Sequence, residues 1–125
     1  MAKKVVNLRV VTKIDEDPDL SFLQDQSRYD GESPRNKAKY LAQDRHRLET
    51  YGSQWNMIGI YFEADVDIGG TIQRIRTPGL WGIEDDSDRA YLASVAKEEY
   101  AQLVDILKKI GVGKVPPLSS ATERS

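Results

Sequence analysis

The tightest constraint on the fold is a run of strict alternation that ends on a pair of glycines. Across residues 55–67, Ile58, Ile60, Phe62, Ala64 and Val66 alternate with Met57, Gly59, Tyr61, Glu63 and Asp65. Side chains on a strand point to opposite faces in turn, so a period of two makes this segment a strand. Ile68-Gly69-Gly70 follows. Glycine takes the positive φ that a tight hairpin turn demands. Thr71 to Thr77 then returns as a second strand, closed by Pro78 and Gly79.

The rest of the chain arranges itself around that hairpin. Residues 3–14 read as another strand, with Val6, Leu8, Val10, Thr12 and Ile14 on a core face and Asn7, Arg9 and Lys13 on a wet one. Residues 15–33 have no period and are rich in turn formers, although Leu20, Phe22 and Leu23 point to some contact with the core. Ser33-Pro34 is a helix start, and the helix is expected to run to about Tyr51 before Gly52. Tyr40, Leu41, Leu48 and Tyr51 share one side of it, while Arg35, Lys39 and His46 cluster on the other. Leu80 to Ile83 is a short fourth strand or a bend. A last helix follows the acidic run Glu84 to Asp88, with Leu92, Val95, Ala96, Leu103, Ile106, Leu107 and Ile110 on one stripe and Gly111-Val112 as its stop. The expected fold is α+β: an antiparallel sheet of three to four strands with two helices packed on one face. Residues 1–113 form the domain in this reading, and residues 114–125, with Pro116-Pro117 and a serine-rich end, form a disordered tail.

Composition narrows the chemistry. A chain of 125 residues fits one domain. It has no cysteine, which excludes disulfides, cysteine-ligated zinc, iron–sulfur clusters and a thiol nucleophile. His46 is the one histidine, so a multi-histidine metal site cannot form within a single chain. The segment after Met1 to Lys4 alternates and is not a long apolar run, so neither a signal peptide nor a membrane span is expected, and the expected compartment is the cytoplasm of a host cell. The net charge of −2 conceals segregation: residues 15–32 sum to −6 and residues 33–52 to +3. Such blocks form solvated faces or a bipolar surface that orients a charged partner.

Several residues stand out as candidates for binding. Asp15, Asp17 and Asp19 have the alternate spacing of a calcium loop, but Leu20 and Gln26 stand where an EF-hand needs glycine and glutamate, so a solvated acidic loop is expected. Arg35, Lys39 and His46 offer a basic helix face for phosphate or carboxylate groups. With Arg45, Arg47, Arg74 and Arg76 added to Arg35 and Lys39, the alternative is a nucleic-acid-binding accessory protein, although the sequence pI near 5.4 is low for that role. Asp65, Asp67 and the run Glu84 to Asp88 supply carboxylates for a third alternative, a metal-dependent enzyme. Trp81 lies between Gly79 and Gly82, either as a core residue at a bend or as an exposed anchor for a partner. No catalytic constellation, metal site or cofactor is expected.

The stretch Gly79-Leu80-Trp81-Gly82-Ile83-Glu84-Asp85-Asp86-Ser87-Asp88, with Tyr91-Leu92 and the helix to Val112, resembles a family of small uncharacterised proteins from phages, plasmids and other mobile elements. Asp17 to Leu23 and Trp55 to Ile60 resemble it as well. The resemblance implies no activity, cofactor or site residue. It implies a setting in which small accessory proteins bind host components. The expected function is therefore a non-enzymatic interaction protein that modulates or inhibits a host complex, such as an anti-CRISPR or other anti-defence factor. Trp81, Asp15, Asp17, Asp19, Arg35, Lys39 and His46 are its expected contacts. A protein partner is expected, and nucleic acid and a second copy of the chain are left open.

Overall fold

A computed structural model describes residues 2–125; Met1, the first residue of the N-terminal reading, lies outside them. In chain order the elements are β1 (Lys3–Ile14), α1 (Pro34–Glu49), β2 (Met57–Ile68), β3 (Thr71–Arg76), β4 (Leu80–Glu84), α2 (Arg89–Lys109) and β5 (Thr122–Arg124). Short 3-10 turns occupy Ser21–Leu23 and Gln26–Tyr29 within the first loop. The fold is α+β, and the sheet runs β3-β2-β1-β5, with β4 also pairing β2 beyond the end of β3.

The sheet differs from the expected one in two ways. Among the described residues it has five strands, and it is mixed: β1 pairs antiparallel with β2 but parallel with β5. The added strand comes from the segment read as a disordered tail. Its proline pair and serine-rich end favour disorder in isolation, but the edge of β1 supplies amides and carbonyls that it pairs.

The alternation of β1 also slips. The register with β2 steps from Val5↔Val66 to Asn7↔Asp65, so Val6 is the extra residue of a β-bulge. Val6 is therefore 45% exposed, while Val5 and Leu8 both enter the core. Ile14, also expected in the core, is 59% exposed at the strand end, and Val11 is fully buried on the opposite face.

The core lies between the sheet and α2. Ile58, Ile60, Phe62, Ala64 and Val66 project from one face of β2 and pack with Val95, Leu103 and Leu107 of α2. Asp88 caps α2 by accepting from the Ala90 amide. At the other end Gly111 N–H reaches Lys108 carbonyl and Val112 N–H reaches Leu107 carbonyl, the paired bonds of a Schellman stop.

The first helix does not join α2 on that face. Ser33 caps α1 by accepting from the Asn36 amide, yet α1 has no buried residue. Its C-terminal end packs through Leu48 and Tyr51 on Leu23, Trp55 and Met57. Met57 lies on the face of β2 opposite Ile58, so α1 closes one end of the sheet's other side. No helix among the described residues is long and apolar enough to cross a membrane.

Candidate functional site

The face of the sheet turned away from α2 carries a charge ladder. β2 presents Gly59, Tyr61, Glu63 and Asp65 there, at alternate positions. Arg9 of β1 stands opposite Glu63, and β3 sets Arg76 opposite Glu63 and Arg74 opposite Asp65. Arg9 donates from Nε to Glu63 Oε1 at 2.7 Å and from its two terminal nitrogens to Asp65 at 2.9 and 3.1 Å. Arg74 Nε reaches Asp65 at 3.2 Å, and Arg124 Nη1 of β5 reaches Glu63 Oε1 at 2.8 Å. One ladder thus ties four strands together.

The carboxyls respond to those neighbours. Hydrogen bonds from Arg9 hold Asp65 far below the usual carboxylate range, with Arg74 adding to the effect over a smaller opposing cost of burial. Burial pushes Glu63 up, but its bonds to Arg9 and Arg124 outweigh that, leaving it below its ordinary value. A carboxyl depressed in the folded chain stabilises it fully above the unfolded-state pKa of about 3.9, and loses that contribution as pH falls through the lower folded value. Thermal midpoints are therefore expected to stay level between about pH 7 and about pH 5 and to drop steadily below about pH 4. A midpoint that rises on acidification contradicts an ionised ladder.

Trp81 shares this face. β2 and β4 pair Ile58 with Ile83 and Ile60 with Leu80, which leaves Trp81 and Gly82 together opposite Gly59. That bulge turns the indole onto the outer face. A Cβ on Gly59 would lie 2.1 Å from Trp81 Cε3, so only glycine lets the ring lie flat on β2 at this position. Gly79 and Gly82 carry φ of +87° and +72°, the left-handed backbone needed to enter and leave the bulge. Trp81 Nε1 donates to the Pro78 carbonyl at 3.0 Å. The ring centroid lies 6.3 Å from that of buried Tyr61, whose other neighbour is the Arg76 guanidinium, 3.9 Å from the Tyr61 centroid. Trp81 remains 40% exposed. It is an aromatic surface already fixed in place.

Met57 and Gly59 are successive positions on this face of β2, so the α1 junction lies beside the indole. Arg47 makes that junction. It donates to Asp86 at 2.6 and 2.7 Å and to Glu84 at 3.0 Å, and its guanidinium lies 3.6 Å from the Trp55 ring centroid. Trp55 in turn donates from Nε1 to the Arg47 carbonyl at 2.7 Å.

The other expected contact residues are distributed unevenly. Arg47, a residue of the nucleic-acid alternative, engages Nη1 and Nη2 with Glu84 and Asp86. Arg74 and Arg76 lie on the Trp81 face, but Arg74 is paired with Asp65 and Arg76 donates to the Thr77 and Pro78 carbonyls. Arg35, Lys39, Arg45 and His46 are exposed on α1 and form no ion pair among the described residues. Asp15 and Asp19 fold the acidic loop by accepting from the Asp17 and Ser21 amides. Asp17 is exposed. Of the acidic run, Glu84 and Asp86 hold Arg47 and Asp88 caps α2. Among the described residues no three metal-ligating side chains converge.

Compared with family models, with curated proteins and with solved structures, the chain matches none.

Proposed function

We propose that this protein is a non-enzymatic binding module that docks a protein partner on the outer sheet face around Trp81. The observation that carries this reading is the preorganised indole: 40% exposed, seated on Gly59 and held by the Pro78 carbonyl. Tryptophan is enriched among the few residues that carry most of an interface's binding energy. A ring that needs no ordering on association loses less entropy there. The setting we propose is that of a phage or mobile-element accessory factor acting on a host complex, defence machinery such as a CRISPR effector included. The Gly79–Asp88 resemblance supports that setting.

A second reading rests on Arg35, Lys39 and Arg45, which stand unpaired on one exposed helix and could track a phosphate backbone. One experiment separates the two. The wild-type chain and its Trp81→Ala variant are used as bait in host lysate, with and without nuclease. The expected result is a stoichiometric protein captured by wild type, retained after nuclease and lost with Trp81→Ala. Capture that survives Trp81→Ala but is lost on nuclease treatment, with steep salt dependence, supports the helix reading instead.

A further inference from the structure

The last residues of the chain lie across a groove that they fill poorly. After α2 the chain returns along the outer edge of β1. Val112 bridges to Lys3, and Val115 and Ala121 pack on the core. β5 then pairs in parallel with Arg9, Val10 and Val11. The edge of β1 runs from Lys3 to Ile14, and among the described residues its last three, 12–14, have no strand pairing on the β5 side. Cavities flank the strand as well. One of about 290 Å³ is lined by Val5, Leu8, Pro116 and Thr122 among others. The other, about 930 Å³, lies between the sheet and the first half of α2.

The two side chains of β5 that matter are unequal in fit. Arg124 crosses to the outer face and donates to Glu63, which is 3% exposed. That is a charge-assisted bond to a buried acceptor, the stronger kind. Glu123 stands opposite Val10 and borders the larger cavity, whose floor is Val10, Ile58, Ile60 and Leu92 and whose lining also includes the charged Asp85 and Arg89. A carboxylate over an apolar floor leaves that volume unfilled.

We infer that the outer edge of β1 is a docking site for an extended segment of a partner protein, and that β5 is its intramolecular occupant. The segment adds to the sheet in parallel as β5 does. It carries an arginine where Arg124 lies, to reach Glu63, and an apolar residue just before it, to fill the cavity where Glu123 now stands. Charge complementarity at Glu63 and the apolar cavity fix this occupant. The inference does not use the Trp81 surface, so either can fail without the other.

The test uses the full chain carrying Arg124→Glu, which releases β5 by setting a second carboxylate beside Glu63, with circular dichroism to establish that it is folded. Labelled peptides of residues 117–125 are titrated against it by fluorescence anisotropy. The native peptide is expected to bind, and its Glu123→Leu form to bind about tenfold more tightly through the added apolar burial. The peptide with Arg124→Glu is expected not to bind, a comparison that leaves the folded chain untouched. Wild-type chain is expected to bind the Glu123→Leu peptide at least about tenfold more weakly, because its own β5 competes at high effective concentration. Peptides that all bind alike, or none that binds, overturn the proposal. So does a concentration-dependent dimer of wild type that is lost with Arg124→Glu, since the occupant would then be the β5 of a second copy.

Discussion

Arg9→Ala is expected to destabilise the fold by about 3 kcal/mol, a large share of the ~5–15 kcal/mol that holds a domain together. Glu63 is 3% exposed, and Arg9 is the residue that bonds to both Glu63 and Asp65. Removing it leaves a buried carboxylate short of a partner, and that desolvation cost dominates the loss. Arg124 and Arg74 each keep one bond to the ladder, which holds the effect near the lower end for a broken buried pair. Arg9→Lys is expected to recover only part of the loss, because an ammonium cannot bridge two carboxylates in one plane. Urea unfolding gives the difference directly. A loss below about 1 kcal/mol would mean that water screens the ladder as it screens a surface pair.

Gly59→Ala has the second largest expected effect, and it acts on binding as well as stability. The new methyl would lie 2.1 Å from Trp81 Cε3, a distance that no side-chain adjustment short of moving the ring relieves. The indole must leave β2, at a cost of about 1–3 kcal/mol typical of overpacking. Its emission is expected to shift red as it enters water, with Trp55 as a buried internal reference. Partner capture is expected to fall as far as it does with Trp81→Ala, although the tryptophan is still present. Full capture by Gly59→Ala would separate the docking surface from the seated ring.

The hairpin, both helix starts and the Schellman stop were legible in the sequence because each is a local rule carried by neighbouring residues. Alternation over Met57 to Ile68, Gly69-Gly70, Ser33-Pro34 and Gly111-Val112 all act within one or two turns of chain. What stayed hidden depends on distant residues. The bulge at Val6 breaks the period in β1 without a glycine to mark it, which hides Val5 as a core residue, while Val11 is buried on the face that alternation assigns to solvent. The pairing of β5 with β1 joins residues more than a hundred positions apart, and no local pattern in Thr122–Arg124 announces it. Two helices on one face was the economical packing for an amphipathic pair, but the apolar residues of α1 are few and meet Trp55 and Met57 on the far side.

The site was partly visible. Trp81 stands out in the sequence between two glycines, and the geometry explains both glycines. The ladder is not legible until register is known, although its charges are present in the sequence. Arg9, then Glu63 and Asp65, then Arg74 and Arg76 place charges of opposite sign on adjoining strands, one residue apart from apolar neighbours. Same-face pairing of opposite charges is what that pattern means once register is known. Arg47 shows the converse: it resembled its exposed neighbours on the helix wheel, and only the position of Glu84, Asp86 and Trp55 turns it inward.

Calorimetric titration of the captured partner against wild-type chain and Trp81→Ala, at fixed salt, decides whether the protein docks through the indole. Truncating an anchoring tryptophan is expected to weaken binding by at least about 2 kcal/mol, roughly thirtyfold, with the unfolding midpoint little changed. Affinities equal to within about twofold would contradict docking through this face.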